Sequence, residues 1–207
     1  MRIAVIAANG RSGRAFVNLA LAAGHEIRAG VRSSSSLPIH PNLNVIQCDA
    51  TNEQELRELI DGQEAVVSLI GHVKGSPPDV QTNAIQKATA IMKTKNIKRL
   101  VSLTGTGVRF PGDKITLTDR FLNLGISIID PNRVKDGRDH VDVLKNSGLD
   151  WTVIRVLKLQ DVQPKPYRLS ENGPTKQFVG REEVAQAILE VLDNSSFVQK
   201  APIISPA

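Results

Sequence analysis

The feature that most constrains this chain lies at its start. A short apolar run, residues 2–7, leads without a break into Ala7-Ala8-Asn9-Gly10-Arg11-Ser12-Gly13 and then into apolar residues at helical spacing. A run of that length suits a buried strand, while Ala15, Phe16, Leu19, Ala20 and Ala23 suit one face of a helix over residues 11–23 that stops at Gly24. A strand that turns directly into a helix presents backbone N–H groups with no intrahelical partner, and the helix dipole adds partial positive charge there. Such a turn suits a pyrophosphate. Gly10 has no side chain to hold a phosphate away, and Gly13 lets the helix lie close to the strand. The usual first glycine of such a turn would fall at Ala7, which is a departure from the pattern. Ala8, Asn9, Gly10, Arg11, Ser12 and Gly13 are the candidate phosphate-binding residues.

Beyond that turn, strand and helix patterns alternate to the end of the chain. Strands are predicted over residues 26–31, 43–48, 65–70, 98–103, 150–156 and 202–204. Helices are predicted over 53–60, 80–95, 115–124, 134–146 and 181–193, with Thr51 as the N-cap of the first of these. Residues 33–36 form a polar loop, and 160–177 a Pro-rich irregular stretch with room for a hairpin. Parallel strands need crossover helices, so the alternation predicts one α/β domain over residues 1–207, a doubly wound parallel Rossmann-type sheet with helices on both faces. Residues 108–135 and 157–180 read as inserts over the C-terminal edge of the sheet, where ligands bind in such folds. Aromatics make up only 3% of the chain, so the core must be aliphatic, as buried parallel strands prefer.

An acidic residue about 20 positions past the glycine motif would hold the ribose hydroxyls of NAD. Here that place is taken by Arg32, followed by Ser33 and three further serines. Guanidinium binds a 2′-phosphate through paired hydrogen bonds, whereas a carboxylate repels it. The expected cofactor is therefore NADP(H), with NAD(H) as the alternative. Asp49 either meets the adenine edge or caps the following helix.

The net charge of +5 raises the question of nucleic acid, but the basic residues are scattered and few aromatics could stack bases, so a nucleic-acid partner is not expected. No apolar run is long enough for a membrane span, and the N-terminal run is too short for a signal peptide, so a cytoplasmic protein is expected. Cys48 is the only cysteine and reads as a buried thiol. No His/Asp/Glu grouping has metal-ligand spacing, so no metal is expected. Without a Gly-x-Ser-x-Gly motif, hydrolase chemistry has no support.

Four stretches together resemble the atypical short-chain dehydrogenase/reductase group, the NmrA-like and biliverdin-IXβ (flavin) reductase-like NAD(P)-binding proteins. They are Ala8–Gly13 followed by Val31-Arg32, Ile97–Gly105, Leu144–Arg155 and Gly180–Ala185. The resemblance implies that the loop after the fourth strand, Leu69, Ile70 and Gly71, lines the cofactor. It also implies that Ser102, Leu103 and Thr104, at the end of the fifth strand, lie near the nicotinamide. Trp151 reads as core packing, and Arg155 as a structural residue at a strand end beside the pocket.

Many short-chain reductases donate a proton from a Tyr whose pKa is lowered by a Lys four residues on. Here the only tyrosine is Tyr167, with Glu171 four residues later, so Tyr167 is assigned to a pocket wall. Reduction of a flavin, quinone or similar planar acceptor needs less from the protein, because the cofactor carries the hydride. Ser102 and Thr104 are the candidate hydroxyls for orienting the acceptor or nicotinamide, or else they cap the next segment. His72 is a candidate acid. His140 is assigned to packing or solvent, and Lys135, Asp136 and Asp139 to a solvated helix start. The expected activity is NAD(P)H-dependent reduction of a small-molecule acceptor. The alternative is a non-catalytic NmrA-like redox sensor that acts through a protein partner.

Overall fold

A computed structural model of the chain describes residues 1–33, 35–175 and 178–207. Ser34 of the polar loop, and Lys176 and Gln177 at the end of the irregular stretch, lie outside the described residues.

The first strand, β1 (Arg2–Ile6), enters α1 (Arg11–Ala22), and β2 (Glu26–Val31), β3 (Leu43–Gln47), α2 (Glu53–Ile60) and β4 (Ala65–Ser68) follow. The second half runs α3 (Val80–Thr94), β5 (Arg99–Gly105), α4 (Leu117–Ile129), α5 (Pro131–Lys145), β6 (Asp150–Val156), β7 (Leu159–Gln160), β8 (Tyr167–Ser170), β9 (Val179–Gly180), α6 (Arg181–Asp193) and β10 (Ile203–Pro206). The main sheet has the order β3-β2-β1-β4-β5-β6-β10-β8. All of its pairings are parallel except β10 with β8. The expected doubly wound fold is present, with one antiparallel edge strand.

Strand residues alternate between two cores, as a period of two requires. Ile3 and Val5 face a layer that contains Phe16 and Val17 of α1 and Val184, Ile188 and Val191 of α6. Ala4 and Ile6 face the opposite layer, with Leu56 and Leu59 of α2, Ile85 and Met92 of α3, and Val141 and Leu144 of α5. Trp151 belongs to this second core, as its assignment to packing expects.

Several boundaries differ from expectation. Asn52, not Thr51, caps α2, because its side chain accepts from Gln54 and Glu55 amides. Thr51 instead donates to Asp49. The fourth strand ends at Ser68, so Leu69 and Ile70 leave the sheet. The hairpin allowed for residues 160–177 does not form: β7 pairs with β9, and β8 pairs with β10. Chain-local signals could not reveal those distant partners. Helix α4 starts two residues late and runs five residues further than predicted, and α5 begins at Pro131 because Asp130 caps it.

Candidate active site

The sheet order reverses direction between β1 and β4, which opens a crevice at their C-terminal ends. The loop Ala7–Gly13 lies at that point. Its position is fixed from both sides: the Ala8 amide donates to the Gly30 carbonyl at 3.1 Å, and the Leu69 amide to that of Ile6 at 3.2 Å. Ala7 makes the tight turn with φ 61°, the left-handed conformation that a glycine would adopt more easily. Gly10 is the N-cap of α1 and no side chain caps the helix among the described residues. The amides of Arg11, Ser12 and Gly13 therefore have no intrahelical acceptor and face the crevice end of α1. A Cβ on Gly13 would collide with the carbonyl oxygens of Ala7 and Ala8, so this glycine is required for the close approach.

Around this loop the side chains are basic and polar. Arg32 is exposed, and its charge, after the hydrogen bonds from Thr51, helps hold the Asp49 carboxyl below the usual carboxylate range. Arg14 donates to Ser36 Oγ at 2.9 Å, while the Ser36 amide and hydroxyl both donate to Asn9 Oδ1. This latch brings Ser36 over the start of α1. Ser33 is exposed beside Arg32. The sequence reading missed Arg14, although it stands one turn beyond Arg11 on the same helical face. Arg11 itself meets Asp161 at 3.4 Å, and Arg181 meets the same carboxylate at 2.5 Å.

On the other side of the crevice stand the ends of β4 and β5. Leu69 is buried, Ile70 is half-buried and Gly71 is exposed. Ser102 and Thr104 both face α5, and Leu103 packs on the opposite core. Ser102 is 2% exposed and its Oγ lies 3.1 Å from His140 Nε2. His140 Nδ1 lies 3.1 Å from the Gly137 carbonyl, which can only accept. Nδ1 therefore carries the proton, and Nε2 accepts from Ser102. Burial drives the His140 pKa down to about 4, against the opposing pull of Asp136. His140 thus belongs to the buried packing allowed for it, with a hydrogen bond to Ser102 that was not foreseen.

Asp136 corrects a prediction. It is 2% exposed rather than part of a solvated helix start. Helix α3 has no capping side chain of its own, and Asp136 supplies one from α5: it accepts from the Gln81 and Thr82 amides, both at 2.9 Å, and from Thr82 Oγ1 at 2.5 Å. His72 Nε2 adds a fourth contact at 2.8 Å. Burial alone would raise the Asp136 pKa, but these donors together hold it below the usual range. Since the carboxylate is ionised, Nε2 of His72 donates to it. His72, Lys74, Ser76, Asn132 and Arg133 line a cavity of about 370 Å³. The Asp136-x-x-x-His140 spacing, one turn on one face, was the available signal.

Tyr167 lies on the edge strand β8, where its hydroxyl donates to Glu190 at 2.8 Å; burial and that carboxylate push its pKa up. Arg155 is fully buried at the end of β6. It donates to the carbonyls of Ala201, Val108 and Glu171, and to both oxygens of Asp113 at 2.5 and 2.8 Å. Burial pushes the Cys48 thiol up to about 12, which leaves it inert. Among the described residues no group of three or more His, Cys, Asp or Glu could hold a metal ion. Among the described residues no helix is long and apolar enough to cross a membrane.

The family model for NAD(P)H-binding proteins matches residues 7–195. The chain belongs to the NAD(P)H-binding family. The solved structures similar to this NAD(P)H-binding protein include a short-chain dehydrogenase/reductase from Veillonella parvula in complex with NADP, at 18% identity and a TM-score of 0.84, with 99% of this chain and 94% of that one covered. A candidate NADH-flavin reductase from Streptococcus pneumoniae matches over 100% of both chains, at 20% identity and a TM-score of 0.81. A Rossmann-fold NAD(P)-binding family protein from Shigella flexneri matches at 24% identity and a TM-score of 0.74, covering 99% and 93%. At these identities the likeness shows the fold. The resemblance to short-chain dehydrogenase/reductase-like NAD(P)-binding proteins is borne out. The uncapped amides of α1 and the close approach at Gly13 fit a nicotinamide dinucleotide.

Proposed function

We propose that this NAD(P)H-binding protein is an NADPH-dependent reductase of a small planar acceptor, such as a flavin or a quinone. What supports this reading is that the uncapped α1 amides and the carboxylate-anchored His72 follow two adjacent parallel strands, β1 and β4, at the same edge of the sheet. In this reading the amides from Ala8 to Gly13 hold the diphosphate. Arg32, with Ser33 beside it and Arg14 behind, holds the 2′-phosphate. Asp49 borders the adenine. Leu69, Ile70, Gly71 and Leu103 line the nicotinamide side, and when bound, the reduced nicotinamide supplies the hydride. Ser102, held by His140, and Thr104, packed against Gly137 of α5, form the polar floor beneath the acceptor.

His72 is the proton donor. Asp136 fixes its ring through Nε2 and leaves Nδ1 to protonate the reduced acceptor. Tyr167 takes no part, because its hydroxyl is tied to Glu190. A second reading, a redox sensor of the NmrA-like kind acting through a protein partner, draws on the near-complete burial of Ser102 and His140.

Steady-state absorbance at the nicotinamide band, with a panel of flavins and quinones, separates the two. Turnover of NADPH is expected, and tight NADPH binding without turnover on any acceptor would favour the sensor. Hydrogen bonds to charged groups contribute about 1.5–3 kcal/mol. Arg32→Asp should therefore lower NADP⁺ affinity about tenfold to a hundredfold relative to NAD⁺. An unchanged ratio removes Arg32 from the site. His72→Asn should lower kcat by about tenfold or more at unchanged cofactor affinity.

A further inference from the structure

The cavity beside His72 is built by two segments that meet only in the fold: residues 72–78, after β4, and residues 130–133, where α4 hands over to α5. Its volume of about 370 Å³ lies at the small end of the range for ligand pockets. Besides His72, the charged residues that line it are Lys74, Asp130 and Arg133.

The Asp130 carboxylate is already used by the protein. One oxygen accepts from the Arg133 amide at 3.2 Å and so caps α5, and the other meets Arg133 Nε at 3.2 Å. What remains is a surplus of donors. Lys74 is exposed and has no hydrogen bond or ion pair among the described residues. Arg133 Nη2 reaches only the His72 carbonyl, at a long 3.5 Å, and Nη1 has no hydrogen bond among the described residues. Ser76 Oγ accepts from the Val73 amide at 3.1 Å, so its own O–H remains to donate. The His72 side chain is only 7% exposed; Asp136 holds its Nε2, and Nδ1 is left to the cavity. The Asp136 carboxylate itself is taken up by the Gln81 and Thr82 amides at the start of α3. The lining thus offers N–H and O–H donors and two cations, while its carboxylate is spent. Such a set suits an oxyanion, because hydrogen bonds from Arg and Lys to carboxylate or phosphate are strengthened by charge.

We propose that this cavity is the subsite for an oxyanion, a carboxylate or a phosphate monoester, carried by the acceptor. Lys74 and Arg133 grip the anion and so bring the acceptor to His72 Nδ1. The inference rests on the reductase reading for the identity of the ligand, and it adds a selection rule. An acceptor with an acidic group is preferred over a neutral one with the same ring.

Flavin fluorescence quenching on the full chain, with NADP⁺ present, tests the rule without need of turnover. FMN should bind about tenfold or more tightly than riboflavin, and 10-carboxymethylflavin than lumiflavin. A preference in only one pair tells phosphate from carboxylate. Both ratios should fall towards one when Lys74→Gln is combined with Arg133→Gln. Lys74→Gln alone breaks no contact within the protein and should lower the ratios by itself. Equal affinities within both pairs overturn the proposal, as does a failure of either charged flavin to bind. A preference that survives the double variant overturns it too, and one that vanishes when NADP⁺ is added moves the anion to the α1 amides. A persistent preference without turnover on any acceptor removes the reductase reading and leaves the subsite. Turnover with equal kcat/KM for charged and neutral flavins does the reverse.

Discussion

The glycine loop and the segments over the far end of the sheet are both irregular backbone at the C-terminal edge, yet they are held in different ways. The loop from Ala7 to Gly13 is positioned mainly by backbone, through the Ala8 hydrogen bond to Gly30, one left-handed residue and a glycine whose missing Cβ sets the helix height, with Ser36 latched on Asn9 as a side-chain addition. The segments after β5 and β6 are positioned by charge. Arg155 joins β6 to Val108, Asp113, Glu171 and Ala201, and the Phe110 ring lies under its guanidinium, 4.7 Å from the centroid. Arg109 and Asp119 do the same for α4. Backbone positioning gives a phosphate cradle that tolerates little substitution. Charged side chains allow inserts of varied length and sequence to be fixed over one sheet, which suits the side of the crevice assigned to the acceptor.

The largest expected effect breaks the charge-held side. Arg155→Met strands the Asp113 carboxylate, whose side chain is 3% exposed. Removing one partner of such a pair destabilises by about 3–5 kcal/mol. Urea unfolding should show that loss, and a double variant with Asp113→Asn should recover much of it. If the single variant is as stable as wild type, the segments are held by something other than this arginine.

Acid should act next, and on the same side. His140 is neutral and buried, with its pKa lowered from 6.5 to about 4. The unfolded chain takes up a proton there that the folded chain refuses. The stabilisation is complete above pH about 6.5 and is lost as pH falls towards about 4, at up to about 1.4 kcal/mol per pH unit. Denaturation midpoints across that window should fall in wild type and fall less steeply in His140→Asn. Equal slopes would remove His140 as the cause.

The smallest effect lies in the backbone-held loop. Ala7 occupies a left-handed conformation that disfavours a Cβ by about 1 kcal/mol. Ala7→Gly should therefore raise the thermal midpoint by a few degrees and leave NADPH affinity intact, read by calorimetry. A lowered midpoint would mean that the extra freedom of glycine in the unfolded chain outweighs the relieved strain.

Much of the fold was legible in the sequence because its signals are local. Apolar runs mark buried parallel strands, helical spacing marks the crossovers, and Gly10 and Gly13 mark the turn. The basic side of the candidate site was legible through Arg32 for the same reason. The acceptor side was not. Asp136 looks like one charge in a polar run until α3 is seen to begin without a cap of its own. Ser102 and His140 are 38 residues apart, and only the packing of α5 on β5 joins them. The exposed stripe of α4, Leu117, Phe121, Leu124 and Ile128, reads as an ordinary core-facing pattern, because a hydrophobic stripe does not state which way it faces.

The sequence by itself determined the order of the helices and of the strands other than β7, β8 and β9, the phosphate-binding turn and the absence of a Tyr-Lys pair, since each depends on residues near one another in the chain. Tertiary structure alone decided that Asp136 caps a helix other than its own and anchors His72. It also decided that α4 turns its leucines outward. Both outcomes depend on which buried charges find partners, and those partners come from distant parts of the chain.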